Sequence, residues 1–100
     1  AGERLHDWLV ANAAAYGFCQ TYTPKRAERS EGYEREDWHW SFMPVAGPKL
    51  DRYPTAVGYE RLTGFAGAET ARAIGVIERY VMGIDPACRT VLDSAADGLP

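Results

Sequence analysis

The chain has 100 residues, 46% of them hydrophobic and 25% charged, with a formal net charge of -3. That length holds one domain with a modest core, and the acidic balance offers no clustered basic face of the kind nucleic acid binding needs. No apolar run reaches the ~18 residues of a membrane span, and Ala1-Gly2-Glu3-Arg4 lacks the pattern of a signal peptide, as a mature exported chain also would.

Residues 3–16 read as the first helix. Leu5, Trp8, Leu9, Ala13 and Tyr16 recur at three-and-four spacing on one face. Glu3 and Asp7 load its first turns with negative charge, and Gly17 is placed to end it in the left-handed conformation. His6 falls off this stripe and reads as a solvated histidine rather than a metal ligand.

Phe18-Cys19-Gln20-Thr21-Tyr22 is aromatic and β-branched and stops at Pro24, as a short strand would. Residues 23–35 are nearly all polar, with charges of both signs, and read as a solvated loop; the functional alternative is a mobile rim in which Arg26 or Arg29 meets a substrate carboxylate. Trp38 to Met43 reads as a second strand, with Trp38, Trp40 and Phe42 on one face and His39, Ser41 and Met43 on the other. Pro44, Gly47, Pro48, Pro54 and Gly58 predict a long irregular connection over residues 44–62, with one helical turn near Leu50 to Tyr53.

A second helix is predicted over residues 68–82, with Ile74, Ile77, Val81 and Ile84 as its stripe and Gly83 and Pro86 as its stop. Gly75 inside it suggests close packing. The tail from Ala87 to Pro100 opens with a half-turn at Val91-Leu92. Three Trp and six Tyr are many for this length; most are expected to pack, with a minority lining a groove.

Cys19 and Cys88 match no metal-ligand spacing. They are either two buried thiols or one disulfide closing a loop of about 70 residues, which on the chain-entropy argument stabilises by about 4 kcal/mol and implies an oxidising compartment. The sequence leaves both open.

Chemistry concentrates at Glu36-Asp37-Trp38-His39-Trp40. In a straight strand residues 36 and 39 point to opposite faces. Both side chains reach one point only if the backbone turns at Glu36-Asp37 and the strand starts afterwards. Glu36 then suits a general base and His39 a metal ligand, zinc being the commonest choice. Asp37, shorter and next to Trp38, suits the turn. The plainer alternative is a surface glutamate and a histidine packed between two tryptophans.

The run Gly32-Tyr33-x-x-Glu36-x-Trp38-His39-Trp40, after a helix ending Asn12-Ala13-x-x-Tyr16-Gly17-Phe18, resembles the C-terminal half of the M15 zinc D-alanyl-D-alanine carboxypeptidases. The likeness is to their VanY-like branch, whose fold is shared with the Hedgehog signalling domain, and covers about residues 5–46. It implies an α+β fold with helices packed on a small antiparallel sheet. Residues 1–46 would be the C-terminal half of the peptidase domain, and residues 47–100 a helical C-terminal extension packed on it. Gly64-Phe65 and the helix to Tyr80 resemble such an extension.

The resemblance makes Glu36 the general base and His39 the third zinc ligand, and carries roles to these two residues only; Trp38, Trp40 and Tyr22 are substrate-binding candidates as aromatic residues that could line a groove. It implies a zinc enzyme of the bacterial cell envelope, periplasmic or exported. The substrate would be the D-Ala-D-Ala end of the peptidoglycan stem peptide, with endopeptidase action on that peptide the near alternative. The family's other two ligands belong to a Ser-x-His-x-x-Gly-x-Ala-x-Asp-type motif that this sequence lacks. A lone histidine does not build a catalytic zinc site, so the 100 residues are expected to be inactive alone and to be one piece of a larger protein. The missing N-terminal half, or another copy of the chain, is the expected protein partner. Two rivals remain: a non-catalytic module of the same ancestry that binds peptidoglycan or a protein, and a small α+β domain whose Trp-His-Trp is core.

Overall fold

The computed structural model describes residues 2–91. It is α+β: helices flank a two-stranded antiparallel sheet. Helix α1 (Gly2–Asn12) tightens into a 3-10 turn over Ala13–Tyr16, and Gly17, at φ 89°, ends it in the left-handed conformation. Strand β1 (Phe18–Gln20) follows at once. Its partner β2 (Trp40–Phe42) pairs Phe18 with Phe42, Cys19 with Ser41 and Gln20 with Trp40. The second strand is thus shorter than expected: Trp38 and His39 belong to the turn before it, and Met43 already begins a helix.

The alternation of β1 and β2 assigns two faces. Cys19 and Ser41 look one way; Phe18, Gln20, Trp40 and Phe42 look the other, where the His6 ring lies 6.0 Å from Trp40. Helix α1 leans on that second face. Its inward line is His6 with Leu9 and Ala13 of the anticipated stripe, whereas the other members, Leu5, Trp8 and Tyr16, are exposed. The expected apolar face is therefore only partly turned inward. Most aromatic side chains follow suit: Tyr22 is the one that is fully buried, and seven of the twelve are exposed. A small sheet with a thin core has no room for them.

Residues 44–56 are helical where an irregular connection was expected. Helix α2 (Met43–Ala56) starts directly from β2, with Pro44 in its first turn. A first-turn proline sacrifices no helical bond, because its missing N–H would have lacked a partner anyway. Pro48 and Pro54 remove one bond each and the helix continues, carrying Met43 and Gly47 inside. It runs unbroken through residue 46, where the sequence suggested a limit between two units.

The second anticipated helix is broken. A 3-10 turn (Ala68–Thr70) leads into α3 (Ala71–Ile74), which stops at Gly75, and Val76–Val81 then wind as a π-helical turn. Gly75 sits at φ 65°, a conformation glycine adopts freely and L side chains resist, so it is the break rather than a packing notch. Of the expected stripe, Ile77 is buried and Ile74 is exposed. Residues 87–91 are helical again; Leu92, the second half of the anticipated turn, lies outside the described residues.

The returning chain covers the first face of the sheet. Cys19 and Cys88 form a disulfide, with S–S 2.09 Å and Cα–Cα 5.5 Å, and with Met43 they make the buried core, against which Ile84 and Val91 pack. The Asp85 N–H donates to the Thr21 carbonyl at 2.7 Å. The buried Asp85 carboxylate accepts from Thr23 Oγ1 at 2.5 Å and from Arg26 Nη1 and Nη2 at 2.8 and 2.9 Å. Arg29 is buried as well, its guanidinium donating to the Thr23 and Gly83 carbonyls and lying 5.7 Å from the Tyr22 ring centre. The polar loop is therefore anchored. Neither arginine is a free rim cation, because each has a fixed partner in the fold.

Candidate active site

The turn that the sequence required at Glu36 is present. Glu36 N–H donates to the Tyr22 carbonyl at 2.8 Å, fixing where the loop rejoins the sheet. His39 N–H donates back to the Glu36 carbonyl at 3.2 Å, closing a four-residue turn. Thr21 N–H reaches the His39 carbonyl at 3.4 Å, so the turn continues the β1–β2 ladder. Inside it, Trp40 Nε1 donates to the Asp37 carbonyl at 2.8 Å. With the backbone reversed there, Glu36 Oε1 and His39 Nδ1 lie 3.0 Å apart.

That contact decides what the pair can do. An ionised Glu36 accepts a hydrogen bond from the ring nitrogen it faces, which fixes the imidazole tautomer and leaves Nε2 with its lone pair. A carboxylate and an imidazole at this distance can also exchange a proton. Both are reachable, with the His39 side chain 43% exposed and that of Glu36 25%.

Tyr22 holds the histidine from behind. Its ring stands edge-on to His39 at 5.2 Å, and its hydroxyl donates to the Tyr80 carbonyl at 3.1 Å. Burial pushes the Tyr22 phenol above its ordinary pKa, and the neighbouring Tyr33 and Glu36 add to the effect, so it stays a neutral donor. Tyr33 bridges Tyr22 and Tyr80 at 5.0 and 5.1 Å. Tyr80 was not legible as a neighbour of the site, because the contact spans 58 residues.

His39, Ser41 and Met43 share a face, as the strand period indicated. Together with Thr21 and Tyr22 they line a cleft of about 190 Å³. Trp38 and Trp40 do not belong to it. They line a separate cleft of about 800 Å³ against α1, on the other side of the sheet, where Trp38 is 76% exposed. Of the three substrate-binding candidates, Tyr22 alone lies with His39.

Asp37 serves the turn. Its Oδ1 accepts from Arg35 Nε at 2.5 Å and Gln20 Nε2 at 3.3 Å. The Arg35 hydrogen bond holds its carboxyl below the ordinary range, against the opposing effect of desolvation. His6 Nε2 lies 3.0 Å from Gln20 Oε1 and 3.5 Å from Asp37 Oδ1. It is thus a half-buried partner of the sheet and not a solvated side chain.

Among the described residues, no three His, Cys, Asp or Glu side chains group as a metal-ion site. A catalytic zinc takes three protein ligands and keeps one position for water. One imidazole beside one carboxylate does not meet that need, so the described residues alone do not fit the metal.

Residues 1–45 match the family model VanY, D-alanyl-D-alanine carboxypeptidase. Over that stretch the chain is VanY-like. The VanY-like segment takes in α1, both strands, the anchored loop and the Glu36–His39 turn, and it ends inside α2. The similarity read from the motif order is therefore borne out, and the matching family is one of carboxypeptidases. No curated protein and no solved structure matches the chain.

Proposed function

We propose that this chain supplies the Glu36–His39 edge of a D-Ala-D-Ala carboxypeptidase-type site acting on peptidoglycan stem peptides. The observation that carries the reading is the 3.0 Å contact between Glu36 and His39 on a turn inside the VanY-like segment. Glu36 would take the proton of the attacking water and pass it to the leaving amine, with Tyr22 fixing the ring behind it. His39 would be one zinc ligand. The metal, where bound, would supply Lewis acidity and an acidified water. Its other ligands would come from residues other than those described, in the same protein or in another copy. The Cys19–Cys88 disulfide suits the oxidising compartment of an exported cell-envelope protein.

A second reading is a module of the same ancestry that binds the stem peptide without cleaving it, and the lack of a three-ligand group among the described residues favours it. D-alanine release from a stem pentapeptide by the zinc-supplemented full-length protein separates the two. The peptidase reading expects release, about one zinc per molecule, and loss of both in His39→Ala. Peptide binding with neither release nor metal would establish the second reading in its place.

A further inference from the structure

The VanY-like match ends at residue 45, yet the cleft beside His39 has a wall from much later in the chain. Val81 and Ile84 line it together with Met43 and Leu50, while Thr21, Ser41 and His39 give it polar lining. The wall is pinned from several directions. Tyr22 Oη holds the Tyr80 carbonyl, Asp85 N–H holds Thr21, Arg26 and Thr23 hold the Asp85 carboxylate, and Cys88 is bonded to Cys19. It stands at the end of a fixed strap.

The cleft, at about 190 Å³, lies below the range of roughly 300–1,000 Å³ that holds a drug-sized ligand. It has room for one short residue, and its far side is aliphatic. We propose that Val81 and Ile84 are specificity-determining residues: they limit this cleft to a single small apolar side chain of a peptide. The proposal rests on the peptidase reading, since it takes the residue in the cleft to be one next to the bond presented to Glu36 and His39.

The test titrates N-acetyl-D-Ala-D-Ala and N-acetyl-D-Ala-D-Leu into the oxidised protein, following the side-chain NMR signals of Glu36, His39 and Ile84. The alanine peptide should bind about tenfold or more tighter than the leucine peptide, the discrimination a hydrophobic pocket wall gives. Ile84→Ala should bring the two within about threefold, and Val81→Ala, the milder change, should move the ratio the same way. Peptides that shift Glu36 and His39 with an unchanged ratio in both wall variants would overturn the wall and leave the peptidase reading standing. Peptides that shift neither Glu36 nor His39 would overturn the wall as well, while D-alanine release by the full-length protein would still decide the peptidase reading.

Discussion

The Arg26 guanidinium grips the Asp85 carboxylate through two hydrogen bonds of 2.8 and 2.9 Å, joining residues 59 apart in sequence. Asp85 is buried and Arg26 is partly open to solvent. Arg26, with help from Thr23 and the Ala87 N–H and against the effect of burial, lowers the Asp85 pKa from 3.8 to about 2. Because the folded value is the lower one, the pair's contribution is fully present above pH ~4 and is lost as pH falls through about 2. Allowing for screening at the open Arg26 side, it amounts to about 1–2 kcal/mol. Urea unfolding between pH 7 and 2 should show this acid limb, and Asp85→Asn should flatten it. An identical limb in Asp85→Asn would contradict the assignment.

The disulfide closes a separation of 69 residues, which corresponds to about 4 kcal/mol of lost unfolded-state entropy. For a chain whose buried core is Cys19, Met43 and Cys88, that is a large fraction of the total. Reduction, or Cys88→Ser, should therefore unfold the protein or lower its urea midpoint by an equivalent amount. A midpoint unchanged by reductant would show that the core holds without the bond.

Two glycines with nearly equal φ should respond very differently to alanine. Gly32, at φ 89°, lies so close to the Arg79 carbonyl that an added Cβ would sit 2.1 Å from the oxygen. Gly64, at φ 84°, has open space around it. Gly64→Ala should cost only the left-handed strain, about 1 kcal/mol. Gly32→Ala should cost about 3 kcal/mol or more, because the obstacle is backbone on the strap and not a flexible side chain. Equal midpoints for the two variants would mean that Gly32 is not the contact it is taken to be.

Tyr22→Phe removes only the hydroxyl that holds the Tyr80 carbonyl. Stability should fall by about 1 kcal/mol. The His39 ring signal should stay near its wild-type position, since the edge-on packing at 5.2 Å survives. A large shift of that signal would show that the strap bond, and not the ring, positions His39.

Local patterns carried the sequence reading furthest. Gly17 ended the first helix because left-handed geometry there is a property of one residue, and the reversal at Glu36 followed from the mismatch between a spacing of three and a period of two. Failures came where distant partners decide. Arg26 and Arg29 looked solvated because Asp85 and Gly83 are more than fifty residues away. Leu9 and Ala13 of the anticipated stripe do face inward, but His6 stands with them while Leu5, Trp8 and Tyr16 are exposed, so composition turned the buried face of α1 toward its more hydrophobic side. Proline content hid α2, although a proline in the first turn is compatible with a helix. Near the candidate site, the turn that brings Glu36 to His39 was legible, and the cleft lining from Val81 and Ile84 was not, since those residues arrive through long-range packing.

The central claim is that Glu36, held 3.0 Å from His39, is the proton acceptor of a carboxypeptidase-type site. Its most direct test is the rate of D-alanine release from a stem pentapeptide by the full-length protein and by Glu36→Gln, which keeps size and hydrogen bonding but removes the base. A fall of about 10²–10⁴-fold, with bound metal retained, is the predicted result. Wild-type turnover in Glu36→Gln would contradict it.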